Sequence, residues 1–119
     1  DRDYNQALNI CINNIDRIAI CAGTHNEESS QLLANLINEK GIDKNDHRIY
    51  FSQLLGMSDH ISYNLSFTNY NVSKYVPYGP IKDVMPYLIR RAEENTSIAG
   101  QMGRELRNLV AQRQRRKNL

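Results

Sequence analysis

Apolar residues return every three or four positions near the start of the chain. Leu8, Cys11, Ile12 and Ile15 share one face of a helix predicted over residues 4–15. The rhythm then changes. "RIAIC" (17–21) is a short β-branched run closed by Gly23, and it predicts a buried strand. "THNEESSQLLANLINEK" restores the helical spacing: capping residues lead, acids fill the first turn, Leu32, Leu33, Leu36 and Ile37 stack, and Gly41 stops it. The alternation repeats twice more. "RIYFSQLL" (48–55) predicts a second strand, and "SDHISYNLSF" (58–67) a helix with Ser58 as cap and Ile61 and Leu65 one turn apart. "VSKYVPY" (72–78) predicts a third strand broken by Pro77 and Gly79. A fourth helix follows, with Met85, Leu88, Ile89 and Ala92 as its packing stripe. If Asp83 is its N-cap, Pro86 falls at the third helical position, where its missing N–H has no intrahelical partner to lose.

Three β-α units without a hairpin signal imply a parallel sheet joined by right-handed crossovers. Three strands leave two raw edges that need partners. Either a small three-layer domain completes itself in a dimer, or these are the last three units of a (β/α)8 barrel of typically ~250 residues. The chain opens in the body of a helix, as a piece cut from something longer does, and that favours the barrel. The expected organisation is an α/β barrel fragment over residues 1–96 and a basic helical tail over residues 97–119.

Composition narrows the partners. The 119 residues are 40% hydrophobic and 24% charged, an ordinary soluble balance, and the net charge of +2 does not by itself imply nucleic acid. No run approaches the roughly 18 apolar residues of a membrane span. Cys11 and Cys21 sit in or beside apolar runs and are expected as buried, reduced thiols in a reducing compartment. The positive charge gathers at the end. Met102, Leu106, Leu109 and Val110 are spaced as a loose helix with arginines between them. That is the pattern of a solvated terminal helix, or of a basic helix touching an anionic membrane surface. No aromatic is interleaved with the charge, which disfavours nucleic acid.

In an open parallel sheet or a barrel, chemistry collects where strands end and helices begin. "CAGTHN" offers Thr24, His25 and Asn26 at a helix N-terminus, suited to a phosphate or other anion; equally, Thr24 or Asn26 can simply cap that helix. One histidine without an acid or cysteine at ligand spacing is too little for a metal. "FSQLLGMSDH" sets Gln53 and Leu54 at a strand end, as a hydrogen-bonding amide and a pocket wall or as plain packing, with Asp59 and His60 as surface or capping groups. In "YLIRRAEEN", Arg90 and Arg91 are about 100° apart on a helix, yet two long guanidinium arms can converge past its edge on one planar carboxylate. Tyr87 lies one turn before Arg91 and Glu94 one turn after Arg90, so a phenol and a carboxylate border the pair. Glu93 and Glu94 can also balance those cations in a purely structural role.

"CAGTHN", "FSQLLGMSDHISYNL", "KYVPYGP" and "YLIRRAEEN", in this order and at these intervals, resemble the C-terminal part of the proline dehydrogenase family. The likeness runs from about residue 15 to about residue 96. It implies a distorted (β/α)8 barrel with FAD at the carboxyl ends of its strands, oxidising L-proline to pyrroline-carboxylate and passing electrons to a membrane quinone. By the same resemblance, Arg90 and Arg91 clamp the proline carboxylate, and Tyr75, Tyr87 and Leu54 wall the ring. Thr24, His25, Asn26 and Gln53 contact FAD, and Glu94 braces the arginines or the flavin site. Ser52 shares the strand end with Gln53, and in a branch of the family the glutamine is shifted by one position. A cytoplasmic enzyme is implied, or a mitochondrial one in a eukaryote, with peripheral membrane contact through the tail. The family's substrate lysine and further FAD contacts come from earlier strands. Two other readings are a barrel enzyme binding a phosphorylated substrate, and a noncatalytic α/β module binding an acidic partner.

Overall fold

The computed structural model describes residues 1–96 and, beyond them, Leu106, Arg107, Val110, Arg113 and Gln114; the side chains of residues 94–96 are outside that description. The elements run α1 (Arg2–Asn13), β1 (Ile20–Gly23), α2 (Glu27–Glu39), β2 (Ile49–Leu54), α3 (Asp59–Phe67), β3 (Val72–Tyr75) and α4 (Ile81–Thr96). They divide into two compact units, Asp1–Tyr75 and Val76–Leu119.

In the first unit the three strands form one parallel sheet in the order β1-β2-β3, without a reversal. Alternation decides which side chains face the helices. Ile20 and Ala22 of β1 and Ile49 and Phe51 of β2 turn to one face and pack with Leu8 and Ile12 of α1 and Leu33, Ala34 and Ile37 of α2. Phe51 stands edge-on to Tyr70, with ring centroids 5.5 Å apart. Fully burying such a ring stabilises by roughly 1.5–3 kcal/mol. Cys21, Tyr50, Ser52 and Leu54 point to the opposite, open face. Cys21 is therefore exposed, and Cys11, on α1, is half-buried; both are free thiols, so the expectation of two buried cysteines is corrected, for Cys21 by the strand's pleat.

Both interior helices stop in the same way. Gly41 (φ 65°) donates to Asn38 O and Ile42 donates to Ile37 O. Asn69 (φ 71°) donates to Ser66 O and Tyr70 donates to Leu65 O. These are Schellman closures, and each is followed by an apolar residue that joins the core, Ile42 or Tyr70. β1 begins three residues later than its apolar run suggests. Arg17 N still bonds Asn14 O in the turn after α1, and the sheet starts only where Ile20 N reaches Arg48 O at 2.7 Å.

The amino edge of the sheet is tied by charge. Asp46 accepts from Arg48 at three atoms, the backbone N (2.9 Å), Nε (3.0 Å) and a terminal guanidinium nitrogen (2.7 Å). Arg48 also donates to Ile15 O, and Asn71 Nδ2 donates to the carbonyls of Asp46 and Ile49. The Arg48 side-chain bonds, then its backbone bond, hold the Asp46 carboxyl far below the usual carboxylate range.

In the second unit α4 begins earlier than the sequence suggests. Asp83 N and Val84 N both donate to Pro80 O, so Asp83 lies inside the first turn and is not the cap. Pro86 is thus the sixth helical residue, and Lys82 C=O loses its regular intrahelical donor. Gly79 adopts φ 154°, and a Cβ there would meet Val84 Cγ2 at 3.2 Å, so glycine fits this entry to the helix. Met85, Leu88, Ile89 and Ala92, the expected packing stripe, are exposed; the described residues of this unit form no second layer against them. Of the predicted tail helix, Leu106, Arg107, Val110, Arg113 and Gln114 are helical and exposed, while Met102 and Leu109 lie outside the described residues.

Candidate functional site

The carboxyl ends of β1, β2 and β3 carry a continuous polar lattice. Thr24 N donates to Ser52 O at 3.2 Å, extending the ladder past β1. The Thr24 hydroxyl accepts from Asn26 N at 3.0 Å, tightening the chain into α2. Asn26 Oδ1 then accepts from Ser29 N at 3.0 Å as the N-cap of α2. Asn26, one of the residues expected at FAD, thus caps α2 with its carboxamide oxygen.

His25 reaches across to the end of β2. Its Nδ1 lies 2.8 Å from Ser58 Oγ, and Leu54 N approaches its Nε2 at 3.5 Å. Ser58 is 4% exposed and holds φ 51°, ψ 39°, a left-handed backbone uncommon for a residue with a Cβ. It occupies the N-cap position of α3, as the sequence predicts, but makes no side-chain cap bond; its hydroxyl serves His25 instead.

Gln53 lies on the buried face of β2. It belongs to the set Ile49, Phe51, Gln53 on the helix-covered face and is only 2% exposed. Its Nε2 donates to Thr24 O at 3.3 Å, and its Oε1 accepts from Ser62 Oγ at 2.9 Å. A side chain so occupied braces the Thr24 turn and does not reach the open face. Ser52, its neighbour, has the opposite direction, together with Leu54. Leu54 pairs in register with Tyr75, so two of the expected ring-wall residues stand side by side at the strand ends.

Lys74 was not anticipated in any site role. It pairs with Gln53 in register and sends Nζ to Met57 O (2.6 Å), Leu54 O (3.4 Å) and Asp59 Oδ1 (2.9 Å). Asp59 and His60, expected as surface or capping groups, cross between elements: His60 Nε2 lies 2.6 Å from Glu27 Oε1 and joins the first turns of α3 and α2. Among the described residues no group of His, Cys, Asp and Glu can hold a metal ion.

The second unit carries the remaining predicted residues on α4. The Arg91 guanidinium carbon lies 5.2 Å from the centroid of the Tyr87 ring one turn earlier, a cation–π contact that holds the planar fork against an aromatic face. Arg91 is half-buried and Arg90 exposed, so the pair is unequal in restraint. Glu94 is on the same helix, and its side chain lies outside the described residues. Among the described residues no helix is long and apolar enough to cross a membrane.

Comparison with known proteins adds a family. The model described as Proline dehydrogenase matches residues 1–104. The mitochondrial Proline dehydrogenase 2 of Arabidopsis thaliana is 43% identical over 108 residues, covering 87% of this chain and 23% of its own length. The mitochondrial Proline dehydrogenase 1 of Drosophila melanogaster is 39% identical, covering 89% and 16%. That of Homo sapiens is 48% identical over 79 residues, covering 66% and 13%. The chain thus spans less than a quarter of the length of these relatives. No solved structure matches.

Proposed function

Because this chain belongs to the proline dehydrogenase family, we propose that the whole protein oxidises L-proline to pyrroline-carboxylate, the first step of proline breakdown, and that these residues form the last three βα units of its (β/α)8 barrel. The sheet supports the barrel. α2 and α3 both meet the face that carries Ile49, Phe51 and Gln53, and the strand order has no reversal. A doubly wound sheet clothes both faces; a barrel clothes only the outer one. The open face of Cys21, Tyr50, Ser52 and Leu54 is then the barrel's interior.

FAD is the cofactor of this reading. Bound at the strand ends, it supplies the acceptor for the hydride leaving the substrate carbon beside nitrogen. The residues present fit a flavin: a hydroxyl and an imidazole, Thr24 and His25, stand at the carboxyl edge, and an uncovered face runs beside them. Thr24, His25, Asn26 and Gln53 contact the cofactor in this reading, and Asn26 and Gln53 also hold the turn into α2. Leu54, Tyr75 and Tyr87 wall the proline ring. Arg90 and Arg91 take the carboxylate, Arg91 with its plane already set by Tyr87, and Glu94 braces them. Fixing one carboxylate by two forks orients the reacting carbon, and orientation is the chief contribution a protein makes to cofactor chemistry. Quinone is the proposed electron acceptor, and the basic tail the proposed peripheral contact with its membrane, which is mitochondrial in a eukaryotic source.

The observation that carries this reading is the family match over residues 1–104. The test is optical. The purified whole protein shows flavin bands, and L-proline bleaches them under anaerobic conditions. A colourless protein, or a yellow one that proline leaves unchanged, contradicts it.

A further inference from the structure

The turn between β2 and α3 is an unfavourable piece of backbone held from below. Gly56 (φ 79°) and Ser58 (φ 51°) both occupy the left-handed region, within three positions of each other. Glycine does so readily, and serine does not. Leu55 and Gly56 are exposed, so little packing restrains the turn from outside.

Two independent features act on it. The first is Lys74, whose ammonium meets Met57 O at 2.6 Å, Asp59 Oδ1 at 2.9 Å and Leu54 O at 3.4 Å. Its three donors find three acceptors, and all three belong to the end of β2, the turn and the start of α3. Lys74 therefore spends itself entirely on another segment. The second is the direction of Ser58. In its inverted conformation the hydroxyl forgoes the usual cap bond to α3 and lies 2.8 Å from His25 Nδ1.

We propose that Lys74 and Ser58 are positioning residues for the cofactor site: Lys74 clamps the turn, and the Ser58 hydroxyl that the clamped turn presents fixes the His25 imidazole. Neither residue touches substrate or flavin. The proposal rests on the reading of His25 as a flavin contact and deepens it. It also gives a reason for a left-handed serine at a position where glycine would relieve the backbone.

The experiment measures FAD dissociation and thermal midpoint in the whole protein. Ser58→Ala removes one hydroxyl and weakens FAD binding about tenfold, the loss of one hydrogen bond of ordinary strength. Ser58→Gly separates strain from contact: FAD binding falls as in Ser58→Ala while the midpoint holds or rises. Lys74→Met gives a loss of similar size that adds little to Ser58→Ala, and Lys74→Arg recovers most of it. Unchanged FAD binding in Ser58→Ala and Ser58→Gly overturns the proposal, whether or not Lys74→Met folds. So does a midpoint that falls in step with FAD binding in Ser58→Gly. A parent protein without flavin instead overturns the proposed function itself.

Discussion

The two ends of the same three strands are tied by polar side chains in opposite fashions. At the amino end, Asp46 and Arg48 pair two positions apart, Arg48 and Asn71 cross to the carbonyls of Ile15, Asp46 and Ile49, and the left-handed residue is Asn69, which closes α3. At the carboxyl end, Gln53, Ser58 and Lys74 reach between segments and keep a serine in a left-handed conformation. The first arrangement closes a sheet. The second also sets a histidine at the strand ends. A left-handed asparagine that stops a helix at one end, and a left-handed serine whose hydroxyl turns to a histidine at the other, are what a supporting edge and a functional edge should look like.

Substitutions can break or sharpen that contrast. Phe51→Ala strikes the core that both ends share and should cost about 3–5 kcal/mol of stability, read by denaturant unfolding. A small effect there would mean that the ends are held independently. Gln53→Leu, at the carboxyl end, deprives Ser62 and the Thr24 carbonyl of their buried partner. It should cost about 1–3 kcal/mol and weaken FAD binding as well.

Asp46→Asn belongs to the amino end and should leave the Michaelis constant for proline alone. Its signature is in pH. The folded Asp46 carboxyl is depressed by Arg48, so its contribution is complete above the unfolded value of about 3.9 and is lost as pH falls below it. Melting midpoints of the parent should therefore drop on the acid side, and those of Asp46→Asn should drop less steeply. Glu27→Gln alters a hydrogen-bonded pair whose partners are 43% and 21% exposed, so solvent competes for it. The expected loss is below about 1 kcal/mol, with unchanged turnover.

Much of this was legible before any coordinates. Each helix and strand predicted within residues 1–96 exists, because apolar spacing and stop signals such as Gly41 act locally. Where the reading slipped, distant partners decided. β1 could start only where β2 offers Arg48 O, and α4 starts at Ile81 because Pro80 O collects its first donors. Gln53 resembled a ligand-facing amide when read as a strand-end residue. Counting by twos from Ile49 and Phe51 would have turned it to the helices. The link between His25 and Ser58, 33 positions apart, and the reach of Lys74 to the β2–α3 turn have no local signal at all. Of the arginine pair, spacing gave the shared neighbourhood of Tyr87, while only geometry separates a stacked Arg91 from an exposed Arg90.

The central claim is that this fork receives the carboxylate of proline. Steady-state dye reduction by the whole protein, comparing the parent with Arg91→Met, measures it directly. Losing one charged, bidentate contact should raise the Michaelis constant for proline at least about tenfold, with flavin content unchanged. An Arg91→Met enzyme that keeps its flavin and saturates at the parent's proline concentration would contradict the account.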